Sequence, residues 1–319
     1  MPSQVPMMFH PTLVVDDLEE AAEWFQRVFG RRGVRWVEKY DFSKLKGDYP
    51  KEYSIFVHLG EVVVDVLSPK LLGLPDGKQS FYPPGEGLTD IAWYAEDARA
   101  VARHLVANGI RVRDQGGDLV EDGDLPVSNL AEDCYILWTL PEDTGLTYEF
   151  LEMGRQHREF YSRAGDPRLA ADWTLPSPRA DDPLGVVRCL HHTILTPDHD
   201  RATRLFTEVF PGKTVGSGIN REWNADSTYV EFAGSVLEFA CPRAGSVTDQ
   251  FTGAVTNSDS YVGMTFQVVD IDQVARHFAT HAVAFERSKD TLTTLPDHTM
   301  GVRWAFTENG PDQVFGFNR

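Results

Sequence analysis

Along this chain the spacing of apolar residues switches from every second position to every third or fourth, and it does so four times in order. Residues 10–17 (His-Pro-Thr-Leu-Val-Val-Asp-Asp) alternate as a strand does. Leu18, Ala21, Ala22, Phe25, Val28 and Phe29 then follow at the spacing of one helical face. Residues 90–97, 191–198 and 263–270 repeat the phrase, and each first residue precedes its terminal Asp by 7 positions. That Asp (Asp17, Asp97, Asp198 or Asp270) predicts a helix N-cap, because its carboxylate can accept from the free amides of the first turn. The likeness continues into the helices. Phe25 and Phe206 stand equally far from their caps, as do Phe29 and Phe210, and Val-Ala-Arg-His recurs at 101–104 and 274–277.

Strand-like segments come after each helix. They are 34–40, 54–59 and 62–67 in the first unit, and 110–113, 135–140 and 146–151 in the second. The third has 214–218, 228–232 and 236–240; the fourth has 283–287, 302–307 and 313–317. Gly60-Glu61 and Gly234-Ser235 read as tight turns. The unit is βαβββ, present four times, which makes repeat architecture the first inference and α+β the fold class.

This arrangement resembles the vicinal oxygen chelate superfamily of glyoxalase I, methylmalonyl-CoA epimerase, extradiol dioxygenases and bleomycin-resistance proteins. The resemblance covers nearly the whole chain apart from the segment around 154–186. It implies that modules pair into cup-shaped mixed sheets, with metal ligands at the start of a module's first strand and on its last strand. Carried over residue by residue, those positions are His10 and Asp65 in module one, Asp90 and Glu149 in module two, and His191 and Glu238 in module three. Module four offers Gly263 and Gly316, or Phe315 with a shifted register, and has no ligand at either position.

The connectors at about 70–87 and 243–259 are similar in length, whereas that between modules two and three is much longer and Pro-rich at 176–183. This favours a tandem duplication: an N-terminal domain at 1–153, a linker with a helix near 155–163 at 154–186, and a C-terminal domain at 187–319. One cup would then hold His10, Asp65, Asp90 and Glu149, and the other only His191 and Glu238. Pairing one with four and two with three would instead gather Asp90, Glu149, His191 and Glu238.

One imidazole with three carboxylates suits a divalent cation such as Mn²⁺, Fe²⁺, Zn²⁺ or Mg²⁺. Three carboxylates leave the site net negative unless one acts as a base, a role that falls to Asp90, with Glu149 as the other proton carrier. Plainer explanations stand beside each. Asp65 could pair with Arg35 or Lys39, Asp90 could be a turn residue after Gly87, and His192, alternating with His191, reads as structural. Tyr94 shares the face of Asp90, and Trp93 points to the helix side.

A net charge of −18 argues against a phosphate-contacting nucleic-acid surface and against anionic membranes. Cys134, Cys189 and Cys241 are scattered and odd in number, as expected of a reducing cytoplasm. No basic apolar leader or membrane-spanning stretch is seen. The expectation is a cytoplasmic, metal-dependent lyase or isomerase for a small organic substrate with adjacent oxygens, passing through an enolate-like intermediate. A homodimer is compatible with it. The alternatives are a ring-cleaving dioxygenase of a catechol-like substrate, weakened by the missing second His, and a metal-free small-molecule-binding protein.

Overall fold

Each expected cap forms. In the computed structural model, Asp17 accepts from the amides of Glu19 and Glu20, and Asp97 from Ala100. Asp198 accepts from Arg201, and Asp270 from Asp272 and Gln273. The structure describes residues 5–35, 52–71, 85–127, 134–152, 166–179, 181–243 and 258–315. The helix expected at 155–163 lies outside these. The capped helices are α1 (Leu18–Val28), α2 (Ala98–Ala107), α3 (His199–Arg204, running on as a wider turn to Val209) and α4 (Ile271–Thr280).

Each helix lies inside a βαβββ unit. The first two units contribute β1 (Met7–Val14), β2 (Val34–Arg35), β3 (Ser54–Leu59), β4 (Val62–Leu67), β5 (Gly87–Ala95), β6 (Val112–Arg113), β7 (Tyr135–Thr139) and β8 (Thr147–Glu152). These form one 8-stranded sheet in the order β2-β3-β4-β1-β5-β8-β7-β6. The last two contribute β9 (Val186–Leu195), β10 (Lys213–Asn220), β11 (Ala225–Phe232), β12 (Ser235–Pro242), β13 (Ser260–Val268), β14 (Phe285–Arg287), β15 (Leu292–Thr294) and β16 (Arg303–Thr307). Their 8-stranded sheet runs β10-β11-β12-β9-β13-β16-β15-β14, the same order. The fold is thus α+β with two mixed sheets, each made by two modules. No helix among the described residues is long and apolar enough to cross a membrane.

The end of module four differs from the sequence reading. Its last strand is β16, which pairs in parallel with β13, and Pro311–Phe315 form a helical turn instead of a strand. Proline at the start of that turn fits a helix, where its missing N–H has no partner to lose. Residues 316–319, with Gly316, lie outside the described residues. Through the parallel registers Ala92↔Glu149 and Thr265↔Ala305, the position equivalent to Glu149 is Ala305, not Gly316 or Phe315. It carries no ligand.

The helices meet crosswise between the sheets. Phe29 of the first unit packs on Trp304 of the fourth at 5.1 Å between ring centroids. Phe206 of the third packs on Tyr148 of the second at 5.0 Å and on Trp93 at 6.0 Å. The repeated Val-Ala-Arg-His string explains itself here. His104 Nε2 bonds the carbonyl of Val209 at 2.8 Å, and His277 Nε2 bonds that of Val28 at 2.9 Å, so each reaches the end of the facing helix. One apolar cluster therefore draws on all four units, including Phe25, Trp93, Phe206 and Trp304.

Candidate functional site

Residues directly opposite one another on neighbouring strands share a face. On the first sheet, the face turned away from the helices carries two adjacent rows. One runs Phe56–Asp65–Thr12–Asp90, and the next His10–Ala92–Glu149–Trp138–Arg113. His10, Asp65, Asp90 and Glu149 thus stand on one face, contributed by β1, β4, β5 and β8. All four are buried. An aromatic shelf adjoins them: Tyr94 stacks on Phe9 at 4.3 Å, and Phe9 meets the His10 ring edge-on at 4.2 Å.

The hydrogen bonds fix the protons. Thr12 Oγ1 donates to Asp90 Oδ2 at 3.0 Å and lies 3.3 Å from His10 Nδ1. A hydroxyl has one proton, and it is spent on Asp90, so the network assigns Nδ1–H as donor to Thr12. Nε2 then carries the lone pair and lies 4.0 Å from Asp65 Oδ2. Thr89 Oγ1 donates to Asp90 Oδ1 at 2.8 Å, and Trp138 Nε1 donates to Glu149 Oε2 at 3.1 Å. Asp65 Oδ1 is buried without a partner. Arg35 pairs with Glu19, and Lys39 lies outside the described residues.

Burial dominates the electrostatics. It lowers His10 to about 3, with the charge of Arg168 adding to the effect, so the imidazole is neutral. Burial and the nearby Asp90 raise Asp65 to about 8. The contact between His10 and Asp65 is therefore not an ion pair at neutral pH. Glu149 is pushed well above the usual carboxylate range by burial and then by Asp90 and Asp65. Asp90 rises only to about 6: burial lifts it, while Thr89, Thr12 and the charge of Arg113 pull it back.

As the side chains stand, no three His, Cys, Asp or Glu groups among the described residues are close enough to hold a metal ion. The donor set nevertheless fits a divalent cation. It comprises an imidazole lone pair, an orphaned carboxylate oxygen, and two carboxylates that accept from neutral donors.

The second sheet places His191 and Glu238 apart from Asp90 and Glu149 and surrounds them differently. Thr193 stands opposite Glu238, as Thr12 stands opposite Asp65. Glu238 accepts from Thr193, Asn220, Ser227 and Tyr229, at 2.7 to 2.9 Å. Burial pushes its pKa up, but His191 and these donors outweigh that and leave it at about 2. His191 Nε2 lies 3.3 Å from Glu238 and 3.0 Å from Thr265 Oγ1. His192 faces the other way, with Nδ1 2.5 Å from the Tyr261 hydroxyl.

The sequence reading missed Thr12, Arg113, Asp166 and Arg168. Thr12 had a signal, since His-x-Thr occurs at both His10 and His191. Asp166 and Arg168 sit in the connecting segment, where no periodicity marks them.

Residues 9–125 match the family described as the Glyoxalase/Bleomycin resistance protein/Dioxygenase superfamily. No curated protein matches the chain. Among solved structures, the 2,3-dioxygenase LapB from Pseudomonas sp. KL28 shares 12% identity over 97% of this chain and 94% of that one, with a TM-score of 0.57. A mutant of 4-hydroxymandelate synthase from Streptomyces coelicolor shares 14% over 96% and 94%, with a TM-score of 0.58. The Mn(II)-bound glyoxalase from Novosphingobium aromaticivorans shares 13% over 99% and 91%, with a TM-score of 0.55. At such identities the likeness is one of fold.

Proposed function

We propose that this chain, whose residues 9–125 match the glyoxalase/bleomycin resistance protein/dioxygenase superfamily, carries in its first cup a metal-dependent site of lyase or isomerase type for a small molecule with adjacent oxygens. The observation that carries this is the gathering of four buried ionisable side chains from four strands on one sheet face, with one carboxylate oxygen left unpartnered. His10 Nε2, Asp65 and Glu149 would hold the cation. When bound, it supplies Lewis acidity toward two substrate oxygens and so favours enolate-like charge on the substrate.

The chain's own groups do the rest. Asp90, tuned to about 6, is the carboxylate best matched to taking a proton from the carbon beside a carbonyl near neutral pH. Thr12 and Thr89 hold its two oxygens and so fix its direction. Trp138 orients Glu149, and the Phe9–Tyr94 shelf offers an apolar wall that excludes water.

A ring-cleaving dioxygenase with two imidazoles and one carboxylate is less well supported, because each cup has one His at these positions. A metal-free binding cup is favoured by one observation, the lack of a preformed triple of ligands among the described residues. Calorimetric titration with Mn²⁺ separates the readings. Wild type should bind one ion, and His10→Ala and Glu149→Gln should each weaken binding at least tenfold. Asp90→Asn should keep the ion yet lose deuterium wash-in from D₂O beside the carbonyl in a panel of small hydroxyketones. Absence of Mn²⁺ binding by wild type would leave the binding-cup reading.

A further inference from the structure

We propose that Arg168 is a positioning residue for His10, acting through a bulge in β1, so that Asp166 and Arg168, which lie between the two sheets in sequence, form part of the wall of the first cup. In β1, Met8 pairs with Trp93 and His10 with Ala92, which leaves Phe9 as the extra residue of a bulge. A bulge takes backbone groups out of the ladder and re-aims the side chains beside it. The Arg168 guanidinium takes up the freed carbonyls. Nη1 donates to Met8 O at 3.2 Å and to Glu61 O at 2.9 Å, and Nη2 donates to Phe9 O at 2.5 Å.

The rest of the guanidinium grips Asp166, Nε to Oδ1 at 2.8 Å and Nη2 to Oδ2 at 2.7 Å. Every N–H of the fork is thereby used. Asp166 also accepts from the Tyr94 hydroxyl at 2.8 Å, and Tyr94 stacks on Phe9, which meets the edge of His10. Two routes, one through backbone carbonyls and one through stacked rings, therefore run from the joining segment to the imidazole. The Arg168 and Asp166 side chains are only 6% and 3% exposed, so the clasp is not a surface ion pair. Lysine would keep the charge but could not span both carbonyls and the carboxylate, because its ammonium is a point donor. Arg168 acts through Phe9 and Tyr94 and takes no part in chemistry.

The effect on metal rests on the reading of His10 as a ligand; the effect on His10 itself does not. In metal-depleted protein, the His10 imidazole signals, assigned by their loss in His10→Ala, should shift in Arg168→Lys as the Phe9 ring moves. Mn²⁺ affinity should fall about tenfold in Arg168→Lys, as for loss of an outer-shell partner. It should fall no further when Arg168→Lys is added to His10→Ala, because the two changes act on one group. If Arg168→Lys does not fold, Asp166→Asn, which keeps an acceptor for Tyr94 but loses the charge, is put through the same measurements. Unchanged His10 signals overturn the proposal, and so does an equal loss of affinity with and without His10. Shifted signals in a protein that binds no Mn²⁺ support the positioning and refute the metal reading alone.

Discussion

Replacing Asp65 with asparagine should move stability in opposite directions with and without metal. In the metal-depleted protein, burial raises the Asp65 carboxyl from 3.8 to about 8. The sign follows from linkage. Below 3.8 the group is protonated folded or unfolded and costs nothing. Between 3.8 and about 8 the unfolded chain releases the proton while the folded one keeps it, so stability falls as pH rises; above about 8 the loss levels off. At pH 7 the cost is the span from 3.8, about three pH units, or ~4 kcal/mol at about 1.36 kcal/mol per unit. The amide that replaces the carboxyl in Asp65→Asn does not titrate, so with chelator at pH 7 the variant should exceed wild type by up to that amount, several degrees in Tm. With Mn²⁺ at about ten-thousandfold excess over Kd the order should reverse, because the cation binds the ionised Asp65 and stabilises wild type by ~5.5 kcal/mol, more than the cost of the buried carboxyl. Urea unfolding with chelator at pH 5, 7 and 8.5, and with Mn²⁺ at pH 7, tests both halves. Metal-depleted wild type with flat stability across that range, or an Asp65→Asn variant less stable than wild type in chelator, would refute the reasoning.

His191→Ala should leave Mn²⁺ stoichiometry and affinity unchanged in calorimetry, since His191 lies on the other sheet. Glu238→Ala should cost ~3 kcal/mol or more by urea unfolding, because four donors lose their acceptor. The folded pKa of about 2 lies below the ordinary 4.5, so the stability Glu238 gives is full above 4.5, and the gap from wild type should close as pH falls toward 2. Residues 1–153 and 187–319, expressed separately, should each bind a hydrophobic dye and lose it on mixing, because Phe29 packs on Trp304 and Trp93 on Phe206 across the two halves.

Much of this fold was readable because period and capping agree. A terminal Asp, an apolar stripe and alternating segments point to the same unit at each repeat, and local signals of that kind survive into the folded chain. The equivalence of Asp65 and Glu238 was legible too, because Pro69 and Pro242 each follow that carboxylate by four residues, and the registers Thr12↔Asp65 and Thr193↔Glu238 agree with it. Module four misled the reading because β16 is fully apolar at its centre and gives no polar marker, while the short run at 313–317 alternates like a strand after a proline that starts a helical turn. The clasp of Arg168 was not readable at all. Its partners are backbone carbonyls at a bulge far away in sequence, and neither a bulge nor a carbonyl leaves a trace in residue type.

The sequence left two module pairings open, and the structure uses both. Sheets join one with two and three with four; helices join one with four and two with three. This double pairing lets the two cups diverge without loss of the fold. The positions of His10 and Asp65 recur as His191 and Glu238, yet the second carboxylate has a donor at every turn, whereas the first keeps an oxygen with none. A saturated carboxylate stabilises its surroundings and has nothing left to give a ligand. An unsaturated one in a buried cup weakens the empty protein and is relieved by a cation. The second half also completes the first: its helices fill the core beneath β5 and β8, and Arg168, in the stretch before it, grips the backbone beside His10.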